Sequence, residues 1–365
     1  MPQRAIPVMQ FRGGSSKGLF FRATDLPTDE TERNRLILAA MEGVGCGDSR
    51  QIDGLGGATS LTSKVAIVSR SDKRDAAPQS ADLEYLFLQV VVGAGRVSTD
   101  QNCGNMLAAV LPFAIESGLF PASSPTTTAR INLVNTGGIC EVTVQTPGGI
   151  LAYAGTANVD GVPGTGAPIL CNYLDIAGST CGALLPTGKT RDWIAGIEVT
   201  CVDNGMPAVI IRAMDVGVTG YESPAELEAN EPLKQQLERI RLAAGPLMNL
   251  GDVIQKTVPK LCLIAAPRAG GMVSARTFIP HRVHEAIGVL GAVSTATACL
   301  LPGSVADGIA ILPKDAESGY SVEHPTGEFT VRLEQHMQDG VLQIGKSGVI
   351  RTARLLSRGD VMVPD

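Results

Sequence analysis

One order of elements occurs twice along these 365 residues: a hairpin, an outer helix, two strands, a buried apolar helix and further strands. A fixed order repeating at long range is the signature of duplication, and it restricts the chain to two units of like build. In the first half, residues 6–11 and 19–23 read as strands around the turn at 12–18. Asp29-x-x-Glu32, ahead of Leu36, Ile37, Ala40 and Met41, opens an amphipathic helix running to about Glu42. Residues 64–68 and 83–92 follow as buried strands. The apolar run 106–115 predicts a helix kinked at Pro112, and 131–134, 142–145 and 150–154 predict antiparallel strands. In the second half, 199–203 and 208–212 pair around Asn204-Gly-Met-Pro207, and Ser223-Pro224 caps a helical stretch over 225–243, broken at Pro232. Strands at 260–264 and 273–279, an apolar helix at 291–300, and strands near 309–312, 329–333, 341–344 and 349–353 complete the repeat.

Each half is therefore expected to be an α+β unit, a curled and mostly antiparallel sheet around a central apolar helix. The join is placed near Asp192–Gly196, after the Gly/Pro-rich region 161–188, which divides the chain into 1–193 and 194–365. The last strands of the second part can pack back on the first half. Two such halves facing each other would enclose a cleft, with both buried helices aiming their N-termini into it.

Composition narrows the function classes. Charged residues make up 18% and aromatic residues 4%, the net charge is −6, and no Lys/Arg run is present, which speaks against a nucleic-acid surface. No window approaches the roughly 20 uninterrupted apolar residues that cross a bilayer. The start of the chain has no long apolar segment followed by a small-residue cleavage site, so no export signal is expected. The eight cysteines lack close pairing and C-x-x-C spacing, which argues against a disulfide framework and a zinc site. A reduced, cytoplasmic protein is the expectation, and an anionic ligand must be held by local donors.

Three places carry candidate chemistry. Gln101-Asn102-Cys103-Gly104-Asn105 sets a cysteine where the apolar helix begins, a position at which the macrodipole and free N–H groups stabilise a thiolate or a bound carboxylate; otherwise Cys103 is one more small buried hydrophobe. Lys64 stands at the mouth of a buried strand, where partial desolvation favours the neutral amine that a base must be, or where the lysine merely snorkels to water. Arg12-Gly-Gly-Ser-Ser-Lys-Gly18 lacks the spacing of a nucleotide-binding loop. Its N–H groups, guanidinium and hydroxyls can hold a carboxylate, or else its glycines serve the turn and its cations are solvated. His281 and His284, beside Arg282, can bind an anion or move protons. No His-Glu-x-x-His or dinucleotide fingerprint occurs.

Arg-Gly-Gly-Ser-Ser-Lys-Gly at 12–18, Gln51-Ile-Asp-Gly-Leu-Gly-Gly57, Leu61-Thr-Ser-Lys-Val-Ala-Ile-Val68, Gln101–Asn105, Asp160-Gly-Val-Pro-Gly164, Asp203-Asn-Gly-Met-Pro207, Met248-Asn-Leu-Gly-Asp252, Phe278-Ile-Pro-His281 and Glu323-His-Pro-Thr-Gly327 together resemble one family, the 4-oxalomesaconate tautomerases. These are grouped with the 2-methylaconitate isomerases in the diaminopimelate-epimerase-like fold. The resemblance runs from about residue 6 to 363. It implies that fold and a cofactor-independent proton shift, with a small tricarboxylate as substrate and a homodimer as the assembly left open. The family's active-site lysine and cysteine fall on Lys64 and Cys103. The related epimerases use one cysteine per half, whereas here Gly288-Val-Leu-Gly-Ala-Val-Ser294 opens the second buried helix with no thiol and Cys299 lies deeper, so a lysine–cysteine isomerase fits better than a two-thiol racemase.

The expected chemistry is a keto–enol or 1,3-allylic proton shift on an unsaturated keto tricarboxylate, whose allylic C–H is acidified by delocalisation into the carbonyl. Lys64 would be the base, and Cys103 or water would return the proton. Arg12, Ser15, Ser16, Ser63, Gly104, Asn105, Arg276, His281 and Ser294 are the candidate substrate clamps. The rivals are an isomerase of 2-methylaconitate, aconitate or methylitaconate and, from another class, a non-catalytic carboxylate binder.

Overall fold

The computed structural model describes residues 2–364 apart from 45–46, 73–79, 100–101, 280–281, 315–318 and 339–340. The chain forms a mixed α+β structure with few helices, divided into two compact units: Met1–Tyr173 with Ile350–Asp365, and Leu174–Val349. The division thus falls at Tyr173/Leu174 and again at Val349/Ile350, and the segment 192–196 is the tight hairpin between the strands Asp192–Ile194 and Ile197–Asp203 inside the second unit. Among the described residues, no helix is long and apolar enough to cross a membrane.

In the first unit the strands Gln3–Gly13 and Ser16–Arg22 pair as an antiparallel hairpin. Only Gly14 and Ser15 lie between them, so Arg12 and Lys17, expected in the turn, face each other as a cross-strand pair. Ser16–Arg22 then runs parallel to Lys64–Arg70, which is antiparallel to Leu83–Val91. That strand is parallel to Thr126–Leu133, and Thr126–Leu133 is antiparallel to Gly138–Gln145. The late strand Ala353–Pro364 returns to pair with Gln3–Gly13 over its whole length, with one irregularity at Gln10/Phe11.

Apolar residues on both faces explain why these strands read as continuous hydrophobic runs. Leu19, Phe21, Val65, Ile67, Leu88 and Val90 point to one face, where Leu36, Ile37, Ala40 and Met41 of the helix Glu30–Glu42 cover them. Side chains alternate along a strand, so Phe20 points to the other face, where Phe11 and Phe113 pack on it with ring centroids 5.1 and 5.6 Å away. The helix starts where its cap was expected, with Asp29 accepting from the Glu32 N–H at 2.9 Å.

The helix after Cys103 departs from expectation. Two short helices, Gly104–Leu107 and Val110–Glu116, replace one kinked at Pro112. The break falls at Ala108–Ala109, and Pro112 sits in the first turn of the second helix, where the backbone needs no N–H donor and proline is tolerated. Pro232 behaves the same way in the second unit: the break at Ala229–Asn230 precedes it, and the helix Glu231–Leu247 carries it in its first turn.

The second unit repeats the alternation of pairings. Ile197–Asp203 and Pro207–Arg212 are antiparallel, Pro207–Arg212 is parallel to Lys260–Ala265, and Lys260–Ala265 is antiparallel to Val273–Ile279. Val273–Ile279 is parallel to Tyr320–His324, which is antiparallel to Gly327–Gln338. Leu233, Leu237, Ile240 and Ala244 cover one face of this sheet with Val209, Ile211, Leu261 and Leu263. The buried helix Val289–Leu300 lies on the other face, its Thr295 hydroxyl directed at the Cys262 sulfur at 3.4 Å. Two expected strands are absent. Residues 150–154 and 309–312 are irregular, with Ile150, Ile311 and Leu312 exposed rather than packed on a sheet face.

Candidate active site

Three residues on one face of the Leu83–Val91 strand, Tyr85, Phe87 and Gln89, organise the site in the first unit. Their spacing of two places them in a row. Gln89 pairs across the sheet with Lys64 and accepts a hydrogen bond from its Nζ at 2.9 Å. The same Nζ lies 5.1 Å from the centre of the Phe87 ring, a cation–π distance. Phe87 packs beside Tyr85 with centroids 6.5 Å apart, and the Tyr85 hydroxyl donates to the carbonyl of Cys103 at 3.2 Å. Burial first, then the neighbouring Cys103 and Tyr173, pushes the Tyr85 phenol well above its ordinary pKa and keeps it a donor. One strand face therefore holds the lysine at one end and the cysteine's backbone at the other.

Lys64 is 7% exposed, and among the described residues its amine meets the Gln89 amide and the Phe87 ring, with no carboxylate in an ion pair. Cys103 is a free, partly exposed cysteine in extended conformation (φ −125°, ψ 103°) that caps Gly104–Leu107 without a side-chain hydrogen bond. Gly104, Asn105 and Met106 open that helix, where N–H groups have no intrahelical acceptor. With four residues, the helix supplies these donors more than a macrodipole.

The hairpin turn docks on this helix so closely that three glycines are required. A Cβ on Gly13 would stand 2.4 Å from the Asn105 carbonyl oxygen, one on Gly14 2.1 Å from Asn105 Oδ1, and one on Gly18 2.3 Å from the Lys64 carbonyl oxygen. Ser15 Oγ receives the Asn105 side-chain amide at 3.2 Å. Among the described residues, Ser16 Oγ and Asn105 Oδ1 are buried without a hydrogen-bond partner, the state of groups that a ligand can satisfy.

The remaining candidates are engaged within the fold. Arg12 Nη1 donates to the Gly14 carbonyl, the Thr352 carbonyl and the Thr352 hydroxyl at 2.9–3.0 Å, which fastens the hairpin to the start of Ala353–Pro364. Ser63 is fully buried and donates to Gln51 Oε1 at 2.7 Å, where the Ala58 N–H also donates at 2.8 Å. In the second unit, Arg276 donates to the Glu222 and Ala275 carbonyls at 2.8 and 2.9 Å, and the buried Ser294 hydroxyl donates to the Met206 carbonyl at 2.7 Å. His281 lies outside the described residues. Gln89, Tyr85 and Gln51 were not singled out from sequence. Gln51 stands in a glycine-rich motif, but nothing local marks the other two.

The second unit holds a half-buried cationic cluster of its own. Burial, then Arg241, pushes Lys260 down to about 8. Burial, then His324 and Lys260, pushes His284 down to about 4, and its Nδ1 accepts the Ala286 N–H at 2.9 Å, so the ring is neutral. An unfolded histidine takes its proton near 6.5. Between about 6.5 and 4 the unfolded chain thus binds a proton that the native chain refuses, and stability falls as pH drops through that window. The expected loss is on the order of 3 kcal/mol, visible as a falling urea midpoint. His284→Asn, which keeps an acceptor at Nδ1, should flatten this slope; an unchanged slope in that variant would refute the assignment.

Similarity to known proteins extends over the whole chain. The model of the PrpF protein family matches residues 3–364. A 4-oxalomesaconate tautomerase from Pseudomonas putida is 53% identical over 363 residues, covering 100% of this chain and 97% of its own. A (4E)-oxalomesaconate Delta-isomerase from a Novosphingobium species is 52% identical over 368 residues, covering 100% of both. A crystal structure of methylitaconate-delta-isomerase superposes with a TM-score of 0.85 at 31% identity, covering 100% of this chain and 96% of its own.

Proposed function

This chain belongs to the PrpF family and is an isomerase, and from that standing we propose that it moves a proton on 4-oxalomesaconate or a closely related unsaturated tricarboxylate, with Lys64 as base and Cys103 as acid. The observation that carries the proposal is the Lys64 amine: buried, oriented by a neutral amide, without a carboxylate partner among the described residues, and set on the strand face that also anchors Cys103.

The reaction conserves atoms and electrons. Lys64 takes a proton from the allylic carbon, and the C–H electron pair delocalises through the double bond into the keto group as a dienolate. Ser16 Oγ and the N–H groups opening Gly104–Leu107 are the donors offered to the oxyanion and carboxylates, and the buried Asn105 Oδ1 is an acceptor for a protonated carboxyl or enol. Cys103, or water, returns a proton to the enolate oxygen in a tautomerisation, or to a different carbon in an allylic shift. Lys64 then gives up its proton to solvent and the Cys103 thiolate, where it was the donor, takes one back, which completes the cycle. Arg12 supports the turn that carries Ser15 and Ser16 while its remaining N–H groups stay available to a carboxylate.

We also read the two units as copies of one plan. The pairings antiparallel, parallel, antiparallel, parallel, antiparallel recur in the same order, and Lys64 and Lys260 head equivalent strands. No cysteine stands at the N-terminus of Val289–Leu300, which supports an asymmetric lysine–cysteine shift over racemisation by paired thiols.

Incubation in deuterated buffer with 4-oxalomesaconate, 2-methylaconitate, aconitate and methylitaconate tests the function. The expected result is enzyme-dependent deuterium at the allylic position, seen by NMR, fastest with 4-oxalomesaconate. Exchange into none of the four would refute proton transfer, and faster exchange into an aconitate-type acid would reassign the substrate.

A further inference from the structure

We propose that Gln89 is the positioning residue of the Lys64 base, holding its amine by an uncharged acceptor so that the nitrogen lone pair is left for the substrate. The inference rests on the reading of Lys64 as the base.

The argument begins with which way the Gln89 amide faces. Its Nε2 donates to three backbone carbonyls, those of Ser60 at 3.2 Å, Ser63 at 2.9 Å and Val90 at 3.1 Å. Turning the amide over would set its oxygen against three carbonyl oxygens and its NH2 against the Lys64 amine, so these contacts leave one orientation. In that orientation Oε1 accepts from Lys64 Nζ at 2.9 Å.

An amine that acts as a base must be neutral when substrate arrives, and it then has two N–H donors and one lone pair. Oε1 can engage only an N–H. The lone pair is thereby directed away from Gln89, whereas a reversed amide would donate to it and block it. A carboxylate in this place would also accept the N–H, but its charge would hold the amine as an ammonium. Glutamine alone among residues of this length offers the acceptor without charge and the donors that lock it. Placement is equally constrained: Gln89 and Lys64 are direct cross-strand partners, and the Val90 N–H returns to the Ser63 carbonyl at 3.1 Å, which ties the two strands beside the pair.

The test compares Gln89→Met, which keeps bulk and loses the acceptor, with Gln89→Glu, which keeps the acceptor and adds charge; both give up the three Nε2 donor bonds. Turnover of the best substrate of the panel is measured against pH, with urea unfolding of each variant as a control. For Gln89→Met the expected result is a 10- to 100-fold lower kcat with KM within about threefold, and a half-maximal pH displaced downward, because the ammonium loses a hydrogen bond. For Gln89→Glu the half-maximal pH should move upward by about one unit. Opposite displacements do not follow from a merely structural role. Two variants with the wild-type pH profile, or activity lost only in proportion to folded protein, would overturn the inference. Lys64→Ala, run alongside, separates the two readings: if it is inactive while both Gln89 variants behave as wild type, only the positioning role fails, and if it keeps turnover within about tenfold, the Lys64 assignment itself fails.

Discussion

Lys64→Ala should lower kcat by 10³-fold or more while leaving the Kd for 4-oxalomesaconate within about threefold. A positioned general base contributes roughly 10²–10⁴-fold, and the upper part of that range is expected of an amine held by both the Gln89 amide and the Phe87 ring. As the proposed base, Lys64 would act on the reacting carbon rather than the substrate's carboxylates, so its removal should cost transition-state binding and spare ground-state binding. Single-turnover kinetics with calorimetric affinity checks this. Loss of affinity equal to the loss of rate would make Lys64 a binding group, and unchanged deuterium exchange would remove it from the chemistry.

Arg241→Leu should destabilise the second unit by about 3–5 kcal/mol, the range for breaking a buried ion pair from one side. Arg241 is fully buried on the helix Glu231–Leu247. Its guanidinium forks onto Glu238 through two bonds of 2.7 Å, and its Nη1 reaches the carbonyls of Val253, Lys256 and Val258 at 2.8, 3.2 and 3.2 Å. The substitution leaves three carbonyls that no hydrocarbon can satisfy and returns the partly exposed Glu238 carboxylate to water. Arg241→Lys should recover little, because an ammonium cannot span the carboxylate and the loop together. Urea unfolding followed by circular dichroism measures the change, and a loss under about 1 kcal/mol would show that water replaces the guanidinium without penalty.

What was legible in the sequence was set by local chemistry. Asp29 and Ser223 announced their helices because a cap acts over three residues, and Ser223 with Glu226 forms a full capping box. Lys64 was legible because an apolar run beside a cation is a local contrast. The breaks before Pro112 and Pro232 were misplaced for a reason equally local: proline marks a helix's first turn as readily as its interruption. Gln89 and Tyr85 were hidden because their roles depend on register, and nothing within 20 residues of Gln89 names Lys64 as its cross-strand partner. The backbone partners of Arg12 and Arg276 were hidden because a sequence displays a guanidinium without the carbonyls that the fold brings to it. Residues 150–154 and 309–312 were apolar enough for strands, but no neighbouring strand pairs with them.

The pairing of Ala353–Pro364 with Gln3–Gly13 bears on the order in which the protein is made. The hairpin that carries Ser15 and Ser16 leaves the ribosome ahead of the rest of its unit, yet its strand Gln3–Gly13 gains its second partner only after the whole of Leu174–Val349 has been synthesised. The Arg12 clasp on Thr352 closes at that same late moment. Contacts of such long sequence separation form slowly and leave an apolar edge open meanwhile. The nascent first unit therefore waits, with Lys64 already emerged and its sheet unfinished, until the second unit has been translated.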